Sequence, residues 1–232
     1  MFEGKRVFVT GAAGALGQAV CHHFNKKGAS IVALDYSDDL LTAAFSNQIE
    51  KNDYLSLDLT SRVSCEEVLG PLVAEKGVDI LCNIAGGFMM GERVHETSDT
   101  TWDFLMNLNA RSIINTTSTV APFMIDQGSG KVINVAARAA TQGSAEMGVY
   151  TASKAAVIRL TEAMAAELRE RNINVNCIMP GIIDTPRNRQ DMPEADHSKW
   201  VLPEQLASVV GFLASEEAIA VHGAAIPVDG LS

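Results

Sequence analysis

Tyr150 and Lys154 are four residues apart, so on a helix both project from one face. A phenol with a reference pKa near 10 exchanges protons poorly at neutral pH. A neighbouring ammonium favours the phenolate, which would make proton exchange with an alcohol or carbonyl oxygen feasible. The lysine can also hold the ribose of a nicotinamide nucleotide. A second chemical feature lies far upstream, in Gly11-Ala12-Ala13-Gly14-Ala15-Leu16-Gly17. Glycines at this spacing permit a tight turn, backbone approach to a diphosphate and close packing of a helix on a strand. Asp35 stands where a carboxylate accepts hydrogen bonds from the adenosine ribose hydroxyls. No Arg or Lys occupies 36–41 to receive a 2′-phosphate, so NAD(H) is expected over NADP(H). Each feature alone is commonplace. Together they describe a dinucleotide-dependent redox site.

Such residues need a scaffold that aligns them, and the apolar pattern supplies one. Runs rich in β-branched residues recur at 6–10, 30–35, 54–58, 78–84, 131–136, 174–179 and 224–228. Most are continuous rather than alternating, the mark of strands covered on both faces. Helical patterns fill the intervals at 14–27, 61–76 with Thr60 as cap, 98–127 with a break near Asn109, 150–171 and 203–214. The alternation predicts an α/β fold, a doubly wound parallel sheet of about seven strands flanked by helices, as one domain over 1–232. The stretch 182–202 carries no clear period and is expected to be a functional loop.

Composition sets limits on partners. The chain has 232 residues with 28 acidic and 18 basic side chains, a formal charge of −10. That balance argues against a nucleic-acid or anionic-membrane partner, and no apolar run reaches the roughly 20 residues of a membrane span. Cys21, Cys65, Cys82 and Cys177 are scattered, as expected of reduced thiols in a cytoplasmic protein. The histidines show no metal-ligand spacing, so no metal site is expected. A small-molecule substrate is the expected partner.

With these motifs placed, the chain resembles the short-chain dehydrogenase/reductase family over nearly its whole length. The resemblance implies a Rossmann-type fold and hydride transfer, with Tyr150 as acid/base, Lys154 orienting the ribose and tuning Tyr150, and Asn109 holding a water in a proton relay. It also implies cofactor contacts at Gly11, Gly14, Ala15, Leu16, Gly17, Asp35, Asp58, Leu59, Asn83, Ala85, Gly86, Pro180, Gly181, Ile183 and Thr185. A homodimer or homotetramer follows from the same likeness.

The sequence departs from the family in one chemical respect. The family keeps a serine thirteen residues before the tyrosine, a donor to the substrate oxygen, and here that position is Ala137. Losing such a donor typically costs about 2.7–4 kcal/mol of barrier. Thr141 and Ser144 lie nearby as candidate substitutes. The G-x-x-G-x-L-G turn, the missing serine and the segment 184–200 resemble the dihydropteridine reductase branch, whose quinonoid acceptors need little carbonyl polarisation. The expected substrate is therefore a small carbonyl or alcohol, or a quinonoid, pterin-like compound. Arg138, Met147 and Trp200 join Ala137 as candidate substrate contacts, and Met89, Met90 and Met192 as candidate apolar lining. The alternative is an NAD(H)-binding sensor or scaffold that has lost catalysis.

Overall fold

Every residue of the strand Arg6–Thr10 (β1) is buried, so β1 must be covered on both faces. The computed structural model describes residues 1–46 and 52–231. Within them six more strands join β1: Ser30–Asp35 (β2), Asp53–Ser56 (β3), Ile80–Asn83 (β4), Gly130–Val135 (β5), Ile173–Pro180 (β6) and Ala225–Val228 (β7). All pair in parallel, in the order β3-β2-β1-β4-β5-β6-β7. The order reverses between β1 and β4, and an open parallel sheet binds ligands beyond its strand ends at such a point.

Period-two geometry splits β1 between two cores. Val7 and Val9 join the layer that holds Leu16, Val20 and Phe24 of helix Ala15–Lys26 (α1) and Leu206 and Val210 of helix Pro203–Leu213 (α8). Phe8 joins the opposite layer, with Leu69 of helix Arg62–Lys76 (α3), Val120 and Met124 of helix Ser112–Gln127 (α5), and Leu168 of helix Gly148–Leu168 (α6). No helix among the described residues is long and apolar enough to cross a membrane.

Four details differ from the sequence pattern. A helix at Asp38–Ala44 (α2) carries no legible period, because Leu41 alone of its side chains is buried. The cap of α3 is Ser61, whose hydroxyl accepts the Ser64 N–H at 3.2 Å; Thr60 turns away to bond Asp58. The long third helical stretch, 98–127, does not break near Asn109. Helix Asp99–Met106 (α4) runs into α5 through a π-helical turn at Asn107–Arg111, a form that frequently marks functional sites.

The fourth detail is the stretch 182–202, which is ordered by its own hydrogen bonds. Helix Pro186–Asp191 (α7) starts with proline and is capped by Thr185, whose hydroxyl accepts the Asn188 N–H at 3.1 Å. The chain returns to its base at a parallel bridge between Ile183 and Val201, with buried Trp200 beside it.

Candidate active site

The glycines after β1 serve different ends. Gly11 has φ +64°, and a Cβ there would lie 2.8 Å from Ala85 Cα, at the end of β4. A Cβ on Gly17 would overlap the Gly11 carbonyl oxygen, so this glycine lets α1 pack on the turn. At Gly14 a Cβ would meet only the Gly11 oxygen, at 3.4 Å, leaving a bare surface for a ligand. Gly14 caps α1 with no side-chain acceptor, so the first-turn N–H groups and the positive dipole end face an anion. Asp35, buried at the end of β2, accepts the Ala13 N–H at 2.9 Å and the Tyr36 N–H at 2.8 Å. Asp35, which the sequence pattern assigns to the ribose, thus also braces the glycine turn.

Beyond the strand ends lies a cleft of about 1100 Å³, at the upper end of ligand sites, with room for a dinucleotide and a small substrate. Its wall includes Gly11, Gly14, Ala15, Leu16, Gly17, Asp35, Asp58, Leu59 and Ala85 toward one end, with Gly86 beside Lys154. Tyr150, Lys154, Pro180, Gly181, Ile183, Thr185, Ala137, Arg138 and Met147 line the other. The structure therefore brings most of the predicted contacts onto one surface. A smaller cavity of about 100 Å³, with Met89 and Met90 in its wall, adjoins Met147 and Tyr150.

Three predicted residues do not face the cleft. Asn83 is buried, donating to Asn134 Oδ1 at 2.9 Å and accepting from Thr116 Oγ1 at 2.8 Å, a structural tie beneath the strand ends. Trp200 is buried with its ring against His197, centroids 4.3 Å apart, and roots the loop instead of meeting substrate. Asn109 lies on the π-helical turn and is buried. It accepts the Gly87 N–H at 2.8 Å and donates to Gly87 O at 3.0 Å and Ser153 Oγ at 2.9 Å. Ser153 Oγ in turn donates to Tyr150 O at 2.8 Å, so Asn109 positions the loop after β4 and the start of α6.

Tyr150 and Lys154 lie one turn apart near the start of α6. Lys154 is buried and donates to Val135 O at 2.9 Å; burial brings its pKa down to about 8. A Cβ on Gly86 would stand 2.9 Å from both Lys154 Nζ and Asn109 Oδ1, so Gly86 keeps that ammonium approachable. Burial pushes Tyr150 up to about 12, opposite to the lowering expected from its lysine neighbour. Desolvation of the phenolate is the cause, and it favours the protonated phenol, the form that donates. Phe88 packs edge-on against the Tyr150 ring at 4.8 Å between centroids.

The missing serine is not replaced by the nearby hydroxyls. Thr141 Oγ1 donates to Arg138 O at 3.0 Å, and both Thr141 and Ser144 are exposed and absent from the cleft wall. Sequence reasoning missed Tyr36, Phe88 and Asp229, which line the cleft from segments outside helices and strands, and Asn188, which lines it from the short helix α7; no periodicity flags any of them. Met90 and Met192, expected as apolar lining, stand in the same wall.

This sheet, turn and cleft define a dinucleotide-dependent oxidoreductase site. The chain belongs to the short chain dehydrogenase family, whose profile matches residues 5–196. It is 34% identical to the 3-oxoacyl-[acyl-carrier-protein] reductase FabG of Thermotoga maritima, over 98% of this chain and 97% of that protein. It is 36% identical to the 2-dehydro-3-deoxy-D-gluconate 5-dehydrogenase of Dickeya dadantii, over 98% and 95%. A solved structure, a putative NAD(P)-dependent gluconate 5-dehydrogenase from Beutenbergia cavernae with bound NADP at low occupancy, superposes with a TM-score of 0.89 at 27% identity. The match covers 98% of this chain and 96% of that one. The protein is accordingly an oxidoreductase with a fold built for NAD(P).

Proposed function

We propose that this protein is an NADH-dependent reductase of a small carbonyl or quinonoid compound. The observation that carries the reading is the half-buried Tyr150 phenol, which stands on the cleft wall one turn from Lys154. Residues of the turn and the first turn of α1 would hold the diphosphate, Asp35 the adenosine ribose, and Lys154 the nicotinamide ribose. The cofactor, when bound, supplies hydride to the substrate carbon. Tyr150 gives its proton to the oxygen that receives charge, and the charged Lys154 beneath it favours that loss. Asn109 acts through Gly87 and Ser153, holding the donor's helix in register.

The preference for NADH rests on buried Asp35, whose charge would repel a 2′-phosphate. Tyr36 and Leu40, the cleft residues beside it, carry no cation to offset that repulsion. Ala137 supports an acceptor that needs little polarisation, which includes the quinonoid, pterin-like class suggested by the turn and loop. The relatives above carry the names of other substrates, an oxoacyl group and a dehydro sugar acid, and these support the carbonyl side of the reading. The catalytic unit extends over 1–232, with 182–202 contributing the substrate side. Four buried, unpaired thiols support a reducing, cytoplasmic location, and a homodimer or homotetramer completes the reading.

The experiment follows NADH binding by fluorescence and NADH oxidation with a panel of ketones, oxo acids and quinonoid dihydropterin. Tyr150→Phe is expected to keep binding and lose about 10²–10⁴ in turnover. Tight binding without turnover of any acceptor would instead identify a sensor, a reading that Ala137 favours, with neither Thr141 nor Ser144 on the cleft wall. Asp35→Ser should narrow the gap between NADH and NADPH affinities; an unchanged gap overturns the assignment of Asp35.

A further inference from the structure

One cation on the cleft wall has no task in that chemistry. Among the described residues that line the cleft, the basic side chains are Lys154 and Arg138. Lys154 is buried and held by Val135 O, committed to the nicotinamide ribose. Arg138 follows the donorless Ala137, at the head of a 3₁₀ turn, Arg138–Thr141, that packs against α6 and β6. Its half-exposed guanidinium meets the Asp229 carboxylate, Nε to Oδ2 at 3.3 Å, and Asp229 lines the same cleft from the segment after β7. Met90, Met147, Ile182 and Met192 supply apolar wall in the same cleft.

Solvent reaches the Arg138 side of the pair, with 54% of that side chain exposed against 30% for Asp229, so the contact is worth about 1 kcal/mol or less and an incoming carboxylate can compete for the guanidinium. A guanidinium forks onto a carboxylate through two parallel hydrogen bonds, and this arrangement gains strength once a substrate excludes water. A monoanion replaces the charge that Asp229 presents to the guanidinium one for one, whereas a phosphate dianion would add a further uncompensated charge to a protein already at −10. The carbonyl of a 2-oxo acid is also electron-poor, which fits a site with alanine where a donor would polarise the oxygen. We propose that Arg138 recognises the carboxylate of a small oxo acid, which takes the place of Asp229. The inference rests on the reductase reading above and names its substrate class.

The test separates recognition from turnover. Binding of oxamate, an unreactive 2-oxo acid mimic, is titrated calorimetrically into the protein with and without NADH. Arg138→Gln should weaken oxamate binding at least 10-fold, Arg138→Lys should restore part of it, and Asp229→Asn should tighten it several-fold. In turnover, the kcat/KM ratio of 2-oxobutyrate to its methyl ester should fall at least 10-fold in Arg138→Gln. Equal oxamate affinity in wild type and Arg138→Gln, or an unchanged acid-to-ester ratio, overturns the proposal. Failure to oxidise NADH with any acceptor, with oxamate binding still dependent on Arg138, would sink the reductase reading alone.

Discussion

The two ends of the cleft are built on different principles. At the dinucleotide end the backbone does the work: a glycine whose Cβ would strike the main chain just after β4, another that would strike the turn, and a buried carboxylate bonded to two main-chain N–H groups. At the substrate end the main chain supplies a root, and side-chain ion pairs do much of the shaping. Arg138 meets Asp229, Arg189 meets Asp184, and Arg187 meets Asp191, all with half-exposed or exposed guanidinium groups. Backbone constraints tolerate almost no substitution, whereas solvated pairs exchange freely. A fold that keeps one cofactor while changing substrates needs that division.

The contrast breaks most visibly at Gly17. Gly17→Ala places a methyl against the Gly11 oxygen and Ala12 Cα, which are backbone and cannot swing aside. The expected loss is about 3 kcal/mol, the upper part of the overpacking range, with NADH binding lost alongside. Gly14→Ala, where the same methyl meets one atom at ordinary contact distance, should leave the unfolding transition nearly in place while weakening NADH binding. Paired denaturant melts and fluorescence titrations read both. If the two variants lose stability equally, the glycines do not divide into packing and ligand-facing roles.

The same division explains what was legible in the sequence. The strands showed themselves because burial on both faces leaves continuous apolar runs, and the glycine turn because backbone demands restrict residue choice. Tyr150 and Lys154 were visible through helical spacing. Asp229 and Phe88 were not, because their place in the cleft depends on tertiary packing of a terminal segment and a loop. Asn83 and Asn109 looked like cofactor and catalytic residues, yet their amides are consumed by Asn134, Thr116, Gly87 and Ser153. A motif marks a position that must be filled by one residue type; it does not say whether ligand or protein makes the demand. The loop at 182–202 hid a helix because its order comes from the Thr185 cap and the Val201 bridge, not from an apolar face.

A smaller effect sits where the two ends meet, at Lys154. Its pKa falls from an ordinary 10.5 to about 8 on burial, so between those values the unfolded chain holds a proton that the folded chain has released. Stability must then rise with pH across that window, by at most about 1.4 kcal/mol per pH unit for one proton. Tyr150 acts oppositely at higher pH: with a folded pKa near 12 against 10, it lends stability that is lost as pH climbs from 10 to 12. Urea melts between pH 7.5 and 9.5 should show the rise in wild type and its disappearance in Lys154→Met. An identical slope in both would mean that Lys154 is not desolvated. Nucleotide affinity is expected to weaken over the same pH interval, since the group proposed to hold the ribose loses its charge.

The smallest effect belongs wholly to the substrate end. Arg189 pairs with Asp184 through two nitrogens, at 2.5 and 2.7 Å, and holds the Asp184 carboxyl below the usual carboxylate range. Its side chain is 54% exposed and that of Asp184 is 10% exposed, so solvent screens the pair from the arginine side and its removal should cost little stability. Arg189→Ala leaves the loop's root untouched: Thr185 still caps α7, Asn188 Nδ2 still donates to Ile183 O at 2.8 Å, and Val201 still pairs with Ile183. What it frees is the α7 face that brings Asn188 and Met192 to the cleft. Melting should therefore shift by no more than about 4 °C. KM for the acceptor should rise severalfold while the NADH dissociation constant stays within twofold. An equal loss at both ligands would show that the loop serves the cofactor as much as the substrate, and the two ends could no longer be treated as separately built.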